Sequence, residues 1–162
     1  IGCVVGKKRY IEKIVAANYS GGGQVQGHEA LACLRGMIYA PVALAIQGRV
    51  VDETCKRLQA GEVAGVRDAI IVNAQSKVLL VEFTQPVANQ VLAAAEKLGA
   101  APHPVGSESK YEFVPMFYRI SGTFRAFDPT LEQRMIRINP MRGGTETILK
   151  ILKEALAAVE NK

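Results

Sequence analysis

Cysteine is sparse in this sequence and poorly spaced for anything but isolated thiols. Cys3, Cys33 and Cys55 form no C-x-x-C pair and are odd in number. That excludes a zinc ribbon, argues against a disulfide framework and points to a reducing, cytoplasmic setting. Histidine is limited to His28 and His103, too few for a metal constellation. Low-complexity and collagen-like tracts are absent. No uninterrupted apolar run reaches the roughly 20 residues that span a bilayer; the longest, from Gly36 to Ile46, is broken by Pro41, so no membrane partner is expected. The glycine-rich stretch near residue 22 lacks the Gly-Lys-Ser/Thr of a phosphate-binding P-loop. Basic residues do not interleave with aromatics. Outside Lys7-Lys8-Arg9 they are dispersed, so the net charge of +5 forms no nucleic-acid stripe.

What is present is ordinary globular composition over 162 residues, 49% hydrophobic and 22% charged, enough for one good core or two small ones. The chain begins with Ile1. Its basic cluster follows an apolar stretch, the wrong order for a secretory signal. The expectation is a piece of a longer protein. Gly2–Gly6 reads as a short buried strand with no partner nearby in sequence, an incomplete sheet. Lys8–Ala17 reads as a helix with Tyr10, Ile11, Ile14 and Val15 as its stripe. A glycine-rich loop follows at Tyr19–Gly27. His28–Tyr39 is helical, and Pro41 opens a second helix to about Gln59, with Gly61 suited to its end.

The pattern then changes. Asp68–Val72 and Lys77–Phe83 are β-like, joined by a hairpin loop at Asn73–Ser76. Pro86 opens a helix that stops at Gly99. Lys110–Phe124 is strand-rich, with Pro115 arguing for an edge or bulge. Met135–Ile138 is the last strand, and Thr145–Val159 is an amphipathic final helix. The expected organisation is an α/β chain in two parts. Residues 1–61 close one domain and its linking helices. Residues 62–162 form a small domain, a β-β-α-β-β-α unit with an antiparallel or mixed sheet covered by helices.

The chemistry concentrates near the end, in Arg134-Met135-Ile136-Arg137-Ile138-Asn139-Pro140-Met141-Arg142-Gly143-Gly144-Thr145. Arg137 lies between Ile136 and Ile138, so a strand turns its side chain to the face opposite theirs. A guanidinium there can fork onto a carboxylate with two parallel hydrogen bonds. The competing reading is an edge-strand arginine, or one paired to Glu112 or Glu132. Arg142, beside Gly143-Gly144, is a second anion contact or a solvent-facing turn residue. The glycines at residues 21–23 open a helix, where backbone N–H groups can hold phosphate. Cys33 reads as a small hydrophobe rather than a nucleophile.

These residues together resemble a family. The order of parts is similar to the C-terminal portion of pyridoxal-phosphate enzymes of fold type I, near the class V aminotransferases and cysteine desulfurases. Ile1–Lys8 resembles the strand after their Schiff-base lysine loop. Gly21-Gly22-Gly23-Gln24 with Gly27 resembles the desulfurase glycine-rich loop. Ile136-Arg137-Ile138 before Gly143-Gly144-Thr145-Glu146 resembles their closing strand and helix. The cystathionine/methionine-lyase-like branch is similar around Tyr39–Ala43 and Gly122–Phe124. The resemblance implies a lyase or transferase on an amino acid, sulfur- or selenium-containing, with pyridoxal phosphate as cofactor and a homodimer as assembly. It implies Arg137 at the substrate carboxylate. Read from the residues themselves, Arg142 is the second substrate candidate, Ser20, Gly21, Gly22 and Gly23 are a cofactor-phosphate loop or a plain helix connection, and His28 is a cofactor contact, a helix-cap neighbour or an interface residue. Two departures stand out. Gly27-His28-Glu29-Ala30 replaces the desulfurases' Arg-Ser-Gly-Thr, and no cysteine follows Leu58 to carry a persulfide. The Schiff-base lysine itself would precede Ile1. Two other readings remain: a non-catalytic α/β module that binds an anion, and a selenium or sulfur transferase of the same fold acting on charged tRNA.

Overall fold

The computed structural model describes residues 4–19, 25–72, 78–102 and 114–160. Its elements in chain order are α1 (Lys8–Ala17), α2 (Gly27–Gln59), β1 (Val66–Val72), β2 (Val78–Phe83), α3 (Ala88–Lys97), β3 (Met116–Arg119), α4 (Gly122–Phe127), α5 (Leu131–Arg134), β4 (Met135–Asn139) and α6 (Thr145–Glu160). They fall into two compact units, Ile1–Val42 and Ala43–Lys162. The division lies inside α2 rather than near residue 61, because Val51, Cys55 and Leu58 at the end of that helix belong to the core of the second unit.

In the first unit the expected opening strand is not seen over its described part. Val4 and Val5 lie outside any strand and are 63% and 89% exposed. A strand needs a neighbour to pair its N–H and C=O groups, and the described residues of this unit supply none. Helix α1 begins at Lys8 as its periodicity predicts, yet Tyr10, Ile14 and Val15 of its stripe are exposed. Helix α2 opens with half a capping box: the Gln26 N–H donates to Glu29 Oε2 at 2.8 Å. It then runs 33 residues without stopping at Pro41, where two helices were expected. Proline removes one helical hydrogen bond and crowds one carbonyl, and the turns on either side carry the helix across. Continuity also changes the membrane reading. By length and composition α2 reaches what can cross a bilayer, a test that a helix packed against protein also passes.

In the second unit, β1, β2, β4 and β3 form a four-stranded sheet in that order, every neighbour antiparallel. An isolated parallel bridge joins Ala101 to Met116 at the β3 edge. Leu79, Val81 and Phe83 of β2, Phe117 of β3, and Ile136 and Ile138 of β4 face one side. There they meet Val91 and Ala95 of α3 and Ile148, Leu149, Leu152 and Ala155 of α6 in the main core. The alanines let the two helices approach each other and the sheet closely. Strand β1 would present a bare edge, and the end of α2 covers it. Cys55 Sγ and Gln59 Nε2 both donate to the Ala69 carbonyl, at 3.2 and 2.9 Å. Burial pushes the Cys55 thiol pKa up, with Asp68 and Asp52 adding to it, so this cysteine packs rather than reacts.

Two glycines end helices as the sequence anticipates. At Gly61 (φ 81°) its own N–H donates to the Leu58 carbonyl and the next N–H, of Glu62, to that of Arg57. At Gly99 (φ 96°) the N–H of Ala100 returns to the Ala95 carbonyl. Both are left-handed closures that a β-carbon would disfavour. One expectation fails after β3. The strand stops at Arg119 and Gly122–Phe127 is helical. Phe124 and Phe127 are exposed, so no alternating burial sustains a strand there.

The turn after α2 is held by charge. Arg57 Nε donates to Glu62 Oε2 at 2.5 Å, Arg57 also pairs with Glu146 at the start of α6, and Lys153 Nζ reaches Glu62 Oε1 at 2.9 Å. Arg57 and then Lys153 hold the Glu62 carboxyl down at about 2, against an ordinary 4.5. A depressed carboxylate pKa gives stability that is whole above the unfolded value and is lost as pH falls toward the folded one. Thermal melts should therefore show stability declining between pH 4.5 and about 2. Glu62→Gln should flatten that decline and lower the melting temperature at neutral pH.

Candidate functional site

The helices cover one face of the sheet and leave the other largely to its own side chains. On that second face, the register runs Ile70–Leu80–Arg137–Tyr118, one residue from each strand, in a row straight across the sheet. Arg137 sits on β4, an interior strand, between buried Leu80 and buried Tyr118. It is itself half-buried, with Ile136 and Ile138 turned into the core beneath. The pleat predicted from sequence is the pleat observed, and the edge-strand alternative for Arg137 is removed.

The surroundings of Arg137 set it apart. Its guanidinium lies over the Tyr118 ring, 4.7 Å from the centroid, a cation–π distance. The arginines nearby in sequence and sheet have carboxylates. Arg134 lies 3.4 Å from Glu82 and 3.3 Å from Asp128. Arg67 shares Glu82 at 3.4 Å. Arg125 and Arg119 share Glu132, at 3.3 and 3.7 Å. Glu132, a candidate partner for Arg137 on sequence grounds, is thus engaged elsewhere, and Glu112 lies outside the described residues. Among the described residues Arg137 has no carboxylate within ion-pair distance. Burial pushes the Tyr118 phenol pKa up while Arg137 opposes the shift, so the ring beneath the guanidinium stays a neutral π-face.

Arg142 is exposed in the turn that joins β4 to α6. Asn139 Oδ1 accepts from the Met141 N–H at 3.0 Å, and the Gly143 N–H donates to the Pro140 carbonyl at 2.7 Å. Met141 takes a left-handed φ of 49°, uncommon for a residue with a side chain. Its side chain packs in a cluster with Ala101, Met116, Val114 and Tyr118. The turn that carries Arg142 is therefore anchored to the cluster that holds Tyr118. Gly144 caps α6, accepting from the Ile148 N–H at 3.2 Å.

The cofactor-side residues fare differently. Ser20, Gly21, Gly22 and Gly23 lie outside the described residues. His28 is exposed, one residue into α2, in the first unit. Cys33, also on α2, is half-buried and free. Tyr118 is the residue that sequence reasoning passed over. Met116-Phe117-Tyr118 reads as a strand, and alternation turns Tyr118 away from Phe117, but only the β3–β4 register puts it opposite Arg137. Tyr118 also lines a cavity of about 450 Å³ with Arg119, Asn89, Leu92, Glu96 and Pro102; Arg137 is not among its walls.

Residues 52–152 match the family model described as YhfS-like, C-terminal domain. YhfS of Escherichia coli (strain K12) is 53% identical over 159 residues, covering 98% of this chain and 44% of that protein. The crystal structure of the E. coli protein, described as pyridoxal-5'-phosphate dependent, superposes with a TM-score of 0.84 over 93% of this chain and 42% of its own. The cystathione gamma lyase CalE6 of Micromonospora echinospora shares the fold at a TM-score of 0.66, with 14% identity over 95% of this chain and 44% of its own. The chain spans under half the length of these relatives.

The turn gives a test of its own. A β-carbon at Gly143 would lie 3.0 Å from the Pro140 carbonyl oxygen and 3.2 Å from Pro115 Cδ, neither of which is the end of a flexible side chain. Gly143→Ala should destabilise the protein by about 1–3 kcal/mol in denaturant unfolding, the usual cost of overpacking.

Proposed function

This chain belongs to the YhfS-like family, and from that premise we propose that it supplies the substrate-facing part of a pyridoxal-phosphate-dependent lyase or transferase of fold type I acting on an amino acid. Arg137 is the clamp for the substrate carboxylate. The observation that carries this reading is the placement of Arg137: half-buried on the open sheet face, stacked on Tyr118, with no described carboxylate to neutralise it. A guanidinium so held offers a planar pair of donors to an incoming carboxylate. Fixing that end of the substrate turns reaction at the other end into a positioned, effectively unimolecular event.

Pyridoxal phosphate supplies an electron sink for bonds at the amino acid's α-carbon, while the protein supplies grip and direction. The described residues fit the grip and not the cofactor's anchorage. Every described lysine is exposed, including Lys7 and Lys8, so none has the enclosed setting of a covalent anchor. The work of this chain is on the substrate side: binding the carboxylate at Arg137, with Arg142 in the adjoining turn as a second cation. Sulfur- and selenium-bearing amino acids are the first substrates to try, on the strength of the resemblance around Tyr39–Ala43 and Gly122–Phe124 to the cystathionine/methionine-lyase-like branch.

The test is a titration of the full-length, cofactor-loaded protein with amino acids, followed through the yellow absorbance of the bound cofactor. Arg137→Ala should retain that absorbance and raise half-saturation at least tenfold, since a hydrogen bond to a charged group is worth about 1.5–3 kcal/mol. Half-saturation unchanged by the substitution would remove Arg137 from the site.

A further inference from the structure

We propose that Tyr118 is the positioning residue for Arg137: its ring holds the guanidinium in the plane and direction from which both donors can meet a carboxylate. The inference rests on the clamp reading above and extends it to a residue outside the recognised motifs. Three observations carry it. Tyr118 and Arg137 are directly opposed in the β3–β4 register. The guanidinium carbon lies 4.7 Å from the ring centroid. Tyr118 is itself fixed, 7% exposed and packed with Met116, Ala101 and Met141.

An arginine on an open sheet face has several flexible torsions and sweeps a wide volume. Contact with a fixed ring removes most of that freedom, and the Tyr118 hydroxyl adds a polar contact to the guanidinium. Leu80, on the other side of Arg137 in the same row, is a buried apolar neighbour. The ordering is done before the ligand arrives, so less affinity is lost to it on binding. Arg119, Arg125 and Arg134 are instead oriented by glutamate or aspartate, which would compete with an incoming anion.

The test uses the full-length protein, with acetate as the carboxylate probe, and reads the Arg137 Nε–Hε resonance by NMR. In the wild type that proton should be displaced upfield by the ring current and should move further as acetate is added. Tyr118→Phe keeps the ring and should preserve both the displacement and the acetate affinity. Tyr118→Leu keeps the bulk without the ring; it should return the resonance to an ordinary position and weaken acetate about threefold or more. A wild-type resonance without displacement would overturn the proposal even if Tyr118→Leu failed to fold. So would acetate affinity indifferent to Tyr118→Leu, which would leave the clamp standing. Acetate that moves no Arg137 resonance in the wild type would sink the clamp reading, and this proposal with it.

Discussion

The pleat of β4 is the constraint on which the rest of the C-terminal unit depends. Ile136 and Ile138 are both within 1% of complete burial against α3 and α6, and Arg137 between them is forced to the other face. A slip of one residue would carry the guanidinium into an apolar core, where no acceptor waits for it, at a cost of several kcal/mol. The packing that stabilises the sheet and the exposure that makes Arg137 available are therefore one arrangement.

The covered face is closed from three directions. Helices α3 and α6 lie on it, and the end of α2 seals the β1 edge through Cys55 and Gln59 on a single carbonyl. The Arg57–Glu62–Lys153 group, with Glu146, then ties the α2 turn to α6. These groups are too exposed to add much individually, but they join segments nearly ninety residues apart at the point where the chain enters the sheet. The open face is organised otherwise. Ile120, after β3, and Leu131 of α5 pack on Leu80 and Met135 over one part of it. Among the described residues, Arg67, Arg119, Arg125 and Arg134 pair with carboxylates, whereas Arg137 meets the Tyr118 ring.

Much of this was legible in the sequence. Helix α6 was visible in its apolar spacing, the closures at Gly61 and Gly99 in their glycines, and the outward turn of Arg137 in its two isoleucine neighbours. These are local facts that a period or a single residue type determines. The failures were also physical. Pro41 looked like a helix start because local rules penalise proline inside a helix, and only the whole α2 shows both flanking turns continuing through it. The opening apolar run read as a strand, and a strand cannot form without a partner. Gly122–Phe124 read as the end of a strand-rich stretch, whereas it opens a helix whose Phe124 and Phe127 are exposed.

By itself, the sequence determined the strands and long helices of the C-terminal unit and their order, the side of β4 on which Arg137 lies and the family that its motifs resemble, because each follows from spacing along the chain. Tertiary structure alone decided that β4 is interior, that β3 pairs with it, and that Tyr118 comes to rest beneath the guanidinium. Those depend on strand order and register, set by contacts between residues far apart in the chain that no local period encodes.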